Sequence, residues 1–439
     1  MSSVSSADIV NLFKKVYGNL VDLLPEDYLL AKAIPFSDAQ KVGEKYVEGI
    51  VLTNESGFTL GGSDSTAFEL NPAIAGAVQQ AEIGPAITVL ASVVPWGVIS
   101  RSAGGGEKSF FDGTKFIVKN NLRSHGKLQE ILRWYGQATG RLGYVSFATA
   151  TYRGVALTTG TGTVGGVAFT NGINAASKKI MFQPGTFASG IWVGSEGVII
   201  QQVATATGTI VAEGKLVSID SGNGILTVDF TPIAATSATS HTLGFKGQNA
   251  AKDMLGINNI LTNSGTLFNI PTANYSLWKG NSVPLGDVKF TLQRLQTGIA
   301  NAVNVGSLEG DLECYVNPRT WATLTTTESG LRSYDHSYNK SMAENGFEAI
   351  EFYAQNGKIT IRAHRMIKEG EAYCLHLPDW SRSGSAEVSF SIPGMNKQII
   401  FPLENQAAYG FRSFSDQYMF CDAPARSIVF TGINDESAS

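Results

Sequence analysis

Two glycine-rich strings have the residue types and spacing to do chemistry. Gly160-Thr161-Gly162-Thr163-Val164-Gly165 matches a dinucleotide-binding fingerprint as a bare string. That chemistry needs a helix next, whose first N–H groups meet the pyrophosphate, and an acid about 20 residues on for the ribose. Val167 to Gly172 instead reads as strand and turn, and no Asp or Glu occurs from Ile131 to Ser195. Gly104 to Ser109 has the outline of a phosphate loop, but Glu107 stands where the second glycine belongs and would set a carboxylate beside the phosphates. It reads as a hinge. The five histidines, His125, His241, His336, His364 and His376, show no HxxxH or Cys-paired spacing, so no metal site is expected. No GxSxG elbow is present. Cys314, Cys374 and Cys421 form no CxxC and are odd in number, which reads as buried small hydrophobes. No cofactor, metal or catalytic role follows from these residues, and the chain is not expected to be an enzyme.

Composition points elsewhere. Charged residues make up 16 % of the 439 residues, against roughly 25 % in ordinary soluble domains. Interfaces deplete Lys, Glu and Asp, so a surface consumed by contacts with copies of itself would read this way; a β-rich surface of Ser, Thr and Gly would read the same. The net charge of −4 gives no electrostatic case for a DNA-binding protein. The N-terminus lacks a basic region followed by an apolar core, and Pro85 and Pro95 interrupt the most apolar run, Ile83 to Ile99, which is short of a membrane span. The expectation is a soluble protein made in a cytoplasm, without membrane contact.

The elements that must position any site centre on Glu107 to Gln137. Leu128, Ile131, Leu132 and Tyr135 recur at i, i+3, i+4 and i+7, one face of a helix. The other face carries Lys115, Lys119, Arg123, Lys127 and Arg133, expected to reach water or a partner over their apolar stems. Ser109 or Asp112 can cap the start, and Gly136 and Gly140 mark the end. Before it lie an amphipathic segment with Ile9, Leu12, Phe13, Val16 and Leu20 on one face, an extended arm, and two strand runs, Tyr46 to Thr53 and Ile83 to Ile99. Their glycine-rich middle makes a long open hairpin. Such a hairpin is at best marginally stable alone and implies a surface to lie on.

Beyond the helix, Tyr144 to Tyr152 alternates like a strand. Lys215 to Asp220 and Ile225 to Phe230 flank Ser221-Gly222-Asn223-Gly224, a strong hairpin signal inside a small β-subdomain spanning about 196–247. Val288, Leu292, Leu295, Ile299 and Val303 share a helical face. Leu312 to Val316 is a strand, followed by Asn317 as cap and Pro318 at the first helical position. Glu351 to Ala363 is a hairpin about Asn356-Gly357, and Ala386 to Ile433 is again strand-like. The β-regions on either side of the helix are expected to share one sheet.

This order of elements resembles the major capsid proteins of tailed bacteriophages, with the Hong Kong 97 type of fold. The local matches are Tyr315-Val-Asn-Pro-Arg-Thr-Trp321, similar to the family's strand-to-helix turn, the closing stretch Ala407 to Ile433, Asn120-Asn-Leu-Arg-Ser-His125 and Gly265-Thr-Leu-Phe268. The resemblance implies an α+β fold with an N-terminal arm (1–45), an extended hairpin loop (46–106), and a peripheral domain containing the spine helix (107–150 and 386–439). It further implies an axial domain (151–385) carrying the inserted β-subdomain. It implies a structural role: self-assembly of pentamers and hexamers into an icosahedral virion shell around phage DNA, in the host cytoplasm. Portal and scaffolding proteins would be partners, and the DNA would be held by weak non-specific contact. Phe58, Leu60, Arg101, Arg123 and Arg133 are the candidate inter-subunit contacts. The alternative is an encapsulin-type nanocompartment shell. Some family members weld subunits through a Lys–Asn isopeptide bond formed by a loop lysine. Here no Lys occurs between Lys45 and Lys108, which implies a shell held without covalent bonds.

Overall fold

A computed structural model describes residues 29–38, 45–61, 68–84, 86–96, 107–138, 142–146, 151–152, 155–156, 161–247, 252–329, 350–390, 400–402 and 407–436. The expected helix at the N-terminus lies outside them. The described residues begin with α1 (Leu29–Ala33) and β1 (Phe36–Asp38). The loop strands β2 (Tyr46–Val51) and β3 (Val78–Ile83) follow, then β4 (Ala86–Pro95) and the long α2 (Glu107–Tyr135). The hairpin differs from the expected one. The partner of β2 is the polar run Val-Gln-Gln-Ala-Glu-Ile, with Tyr46 opposite Ile83 and Val51 opposite Val78. The apolar β4 has left the loop altogether.

An eight-stranded antiparallel sheet comes next: β5 (Thr161–Val164), β6 (Val167–Thr170), β7 (Ile173–Asn174), β8 (Lys179–Met181), β9 (Ile199–Ala204), β10 (Ile210–Asp220), β11 (Ile225–Val228) and β12 (His241–Phe245). Its spatial order is β12-β9-β10-β11-β8-β7-β6-β5. The sheet reaches back to Thr161, ahead of residue 196 where the β-subdomain is expected to begin. Residues 161–165 of the dinucleotide fingerprint form β5 and turn tightly into β6. Asp220 makes the sharp turn after β10, its carboxylate accepting from the Asn223 backbone and side chain at 3.0 and 2.7 Å. Gly172 turns β6 into β7 at φ +78°, pressed against the Ser146 backbone.

The third region pairs helices with a six-stranded sheet. After α3 (Ile257–Thr262) come β13 (Asn281–Val288), α4 (Leu292–Gly306), β14 (Leu312–Val316), α5 (Pro318–Ser329), β15 (Ile350–Ala354), β16 (Gly357–Ala363) and β17 (Glu371–Leu375). Thr291 caps α4 by accepting from Arg294 N, and Ser307 closes it in the left-handed region. Leu295, Ile299 and Ala302 bury one face of α4 on a core with Ile359, Ile361 and Phe430. Asn317 caps α5 as its sequence position implies, accepting from Arg319 N at 3.0 Å. The spatial order is β13-β21-β17-β14-β16-β15, where β21 (Ile428–Ile433) is the last strand of the chain. The closing strand thus belongs to this sheet rather than to the one beside α2. In the register of β14 and β17, Cys314 faces Cys374, and the two are joined by a disulfide. The sequence did not announce that pair, since the residues are 60 positions apart. Cys421 remains a buried thiol.

The last sheet packs on α2. It runs β1-β18-β20-β19, with β18 (Trp380–Ser389), β19 (Ile400–Pro402) and β20 (Ala408–Cys421), and β4 also pairs with β20. That pairing is continuous from Ala86 opposite Gln417 to Pro95 opposite Ala408. The expected sharing of one sheet by distant β-regions is found here.

Candidate assembly surface

The loop carries its apolar side chains in the open. Phe58 is 83 % and Leu60 94 % exposed, and Phe68, Leu70, Ile74 and Val78 are exposed with them. The backbone beneath them is ordered by local bonds. Ser56 and Ile74 exchange backbone hydrogen bonds at 2.9 Å, Asn71 N donates to Thr59 Oγ1 at 2.8 Å, and Asn71 Nδ2 donates to the Phe58 carbonyl at 2.8 Å. Gly57 sits at φ +108°, where a side chain would run into the Pro72 carbonyl. At the base, Lys45 bonds Glu82 at 2.5 Å. Among the described residues the loop is thus a built ribbon whose tip has no core of its own. Burying a residue such as Phe58 or Leu60 stabilises an assembly by about 1.5–3 kcal/mol.

A second apolar strip lies on β4. Ile87, Val89 and Val93 are exposed on one face of the strand, and Trp96, just past its end, is exposed too. Its other face is tied to α2: Asn121 Nδ2 donates to Ser92 Oγ at 2.8 Å, and Gln129 Nε2 donates to Thr88 Oγ1.

The side chains of 107–120, Lys115 and Lys119 among them, lie outside the described residues; from Asn121 onward the helix is not the half-solvated strut that its charges suggest. Arg123 is exposed, but Arg133 is only 3 % exposed and cannot meet a neighbouring subunit. Its guanidinium donates to Glu130 Oε2 at 2.9 Å and reaches Gln417 at 3.4 Å. The last two turns of α2 are covered on all sides, because β20 packs on one flank while Trp134 is surrounded by Tyr315, His364 and Tyr373, ring centroids 5.1–5.5 Å away. Lys127 also turns inward, donating to Val193 O at 2.8 Å and Ser195 Oγ at 2.7 Å. Burial, with Arg365 nearby, pulls its pKa down to about 8. Arg101 lies outside the described residues. Of the five candidate contacts, Phe58, Leu60 and Arg123 are therefore on the surface, and Arg133 is an internal structural residue.

A buried polar network, missed from sequence, holds this region together. His364 Nδ1 accepts from Met366 N at 3.2 Å, which leaves Nε2 to donate to Glu130 Oε1 at 3.1 Å. His125 contacts Ser413 Oγ through Nδ1 at 2.8 Å, and Gln129 lies 3.4 Å from its Nε2. Burial first, and the Arg133 charge second, push the His125 pKa down to about 4. The one sequence signal for the network was Glu130 and Arg133 at i and i+3 amid apolar residues. Among the described residues no cluster of metal-ligating side chains forms, and no helix is long and apolar enough to cross a membrane.

No protein-family model and no curated protein matches the sequence. Among solved structures, the capsid asymmetric unit of cyanophage A-1(L) aligns with a TM-score of 0.52 over 92 % of each chain, at 8 % identity. The chain has a phage capsid fold. More distant alignments include the capsid of a native GTA particle, with a TM-score of 0.42 at 6 % identity over 92 % of this chain and 89 % of that one. The holo-SrpI encapsulin complex from Synechococcus elongatus gives 0.40 at 6 % identity over 93 % and 89 %. At 8 % identity the likeness to the cyanophage capsid is one of fold, which in this chain is an α+β arrangement with the long helix α2 packed on the β20 sheet.

Proposed function

We propose that this chain is the repeating subunit of a closed icosahedral shell that holds the DNA genome of a tailed phage. The carrying observation is the likeness to the cyanophage capsid over 92 % of both chains. The exposed apolar side chains at 58–60 and 68–78 fit the same reading, because they have burial to gain from a second copy. In this reading α2 is the spine helix, the β20 sheet forms the peripheral domain, and the six-stranded sheet with the inserted β-sheet forms the axial domain. The subunit acts by packing and not by catalysis. Pentamers and hexamers bury the loop and the β4 strip, portal and scaffolding proteins set where and how the shell closes, and assembly takes place in the host cytoplasm. The mild net charge of −4 suits a wall that must let DNA slide past it, since strong phosphate attraction would hold the genome fast.

Negative-stain imaging of the purified protein, followed by nuclease treatment of particles from infected or expressing cells, tests the reading. Uniform closed shells with nuclease-resistant DNA are expected. Shells loaded with an enzyme and free of DNA would instead identify a nanocompartment, and monodisperse monomers under assembly conditions would remove both.

A further inference from the structure

The arm helix α1 cannot stand alone. Its five residues are far short of the about 12–15 that an isolated helix needs. Leu30 and Ile34 anchor it in the core. Its backbone is held by two buried side chains of opposite charge. Leu30 N–H donates to Glu130 Oε1 at 3.1 Å, while Arg382 donates from Nε to Ile34 O at 3.1 Å and from Nη2 to Ala31 O at 3.3 Å. Both side chains are nearly inaccessible to water.

We propose that Glu130 is a proton-operated latch for the N-terminal arm: docking of α1 and ionisation of this carboxylate are coupled, so that proton uptake loosens the arm. Three donors meet Glu130. Arg133 bonds it from its own helix at 2.9 Å, His364 from the segment after β16 at 3.1 Å, and Leu30 from α1. Arg382 on β18 and Tyr315 on β14 lie within electrostatic range. Burial favours the neutral acid, but the His364 hydrogen bond, the Arg133 charge and the Leu30 N–H outweigh it and hold the carboxyl below its ordinary range.

The coupling is reciprocal. Undocking α1 removes one of the bonds that keep Glu130 ionised, so protonating Glu130 must weaken docking by the same factor. Because the docked-state pKa is depressed, the contribution is present above the ordinary carboxylate range and is lost as pH falls through the docked value. This holds whether or not the chain builds a shell.

Hydrogen exchange on peptides covering residues 29–38, in the purified full chain from pH 7 down to about pH 2.5, well below the ordinary carboxylate range, and corrected for intrinsic rates, reads the latch. The arm should lose protection ahead of the rest of the molecule as pH falls. Glu130→Gln should lower arm protection at pH 7 by about tenfold, the worth of a charge-assisted bond, and flatten the pH dependence. Ile34→Ala, which loosens the arm through apolar contact, should lower protection at every pH and keep the wild-type slope. If Glu130→Gln does not fold, Leu30→Pro removes the N–H donor, leaves the carboxylate, and should flatten the slope in the same way. A slope unchanged in Glu130→Gln or Leu30→Pro, or arm exchange that follows global unfolding at all pH values, overturns the proposal.

Discussion

His125 should make the subunit acid-sensitive by a calculable amount. In the unfolded chain an imidazole takes up its proton near pH 6.5; in the folded chain burial and the Arg133 charge delay that step to about 4. Between those values the unfolded state binds more protons, so stability falls as pH falls through the window. A gap of about 2.5 pH units at about 1.4 kcal/mol per unit makes the loss about 3 kcal/mol, complete near pH 4. No discount for solvent screening is needed, because the side chain is almost fully buried beneath Ser413. His125→Gln keeps an amide that can bond Ser413 and removes the titration. Urea unfolding of the unassembled subunit, repeated from pH 7 to pH 4, should show the wild type losing about 3 kcal/mol more than the variant across the window. Other groups titrate in both proteins and cancel in the comparison. Parallel stability curves would refute the reasoning, as they would mean that His125 takes up its proton at the same pH in the fold as in the unfolded chain.

Replacing Phe58 and Leu60 together by Ser should leave the thermal midpoint of the free subunit unchanged, because both side chains are exposed, while particle yield by sedimentation falls at least tenfold. Gly172→Ala should destabilise the subunit by about 2 kcal/mol or more in urea unfolding, since φ is +78° and the new methyl meets the Ser146 backbone; a loss within about 0.5 kcal/mol would put that turn in doubt. Thiol counting after denaturation without reductant should find Cys421 alone reactive, and three reactive thiols would show Cys314 and Cys374 unlinked. Mature particles boiled in detergent and reductant should give a single band near 46.7 kDa, as the loop holds no lysine from Thr53 to Val78; a ladder of oligomers would reveal a covalent weld elsewhere.

What the sequence determined by itself was local. The apolar spacing of Ile131, Leu132 and Tyr135 specified α2, Leu295 and Ile299 specified α4, and Asn317-Pro318 after an apolar run marked the end of β14 and the start of α5. Turns at Asn171-Gly172, Asn223-Gly224 and Asn356-Gly357 followed from the few residues that accept such backbone angles. These signals act over a handful of positions, so a linear reading captures them.

Only the tertiary structure decided which strands are neighbours. The apolar alternation of Ala86–Pro95 suits a loop partner or a sheet partner equally. Pairing with Ala408–Gln417 wins because α2 offers Asn121 and Gln129 to one face of the strand. The polar β3 pairs with β2 through its backbone, a contact to which side-chain hydropathy is blind. Arg133 looked like a surface cation because Gln417, the partner it reaches beyond Glu130 on its own helix, is far away in sequence. Cys314 meets Cys374 for the same reason: strand register, set through space, decides which side chains face each other. The arm, the long helix and the closing strands thus converge on Glu130 and Arg382, a meeting that no local spacing encodes.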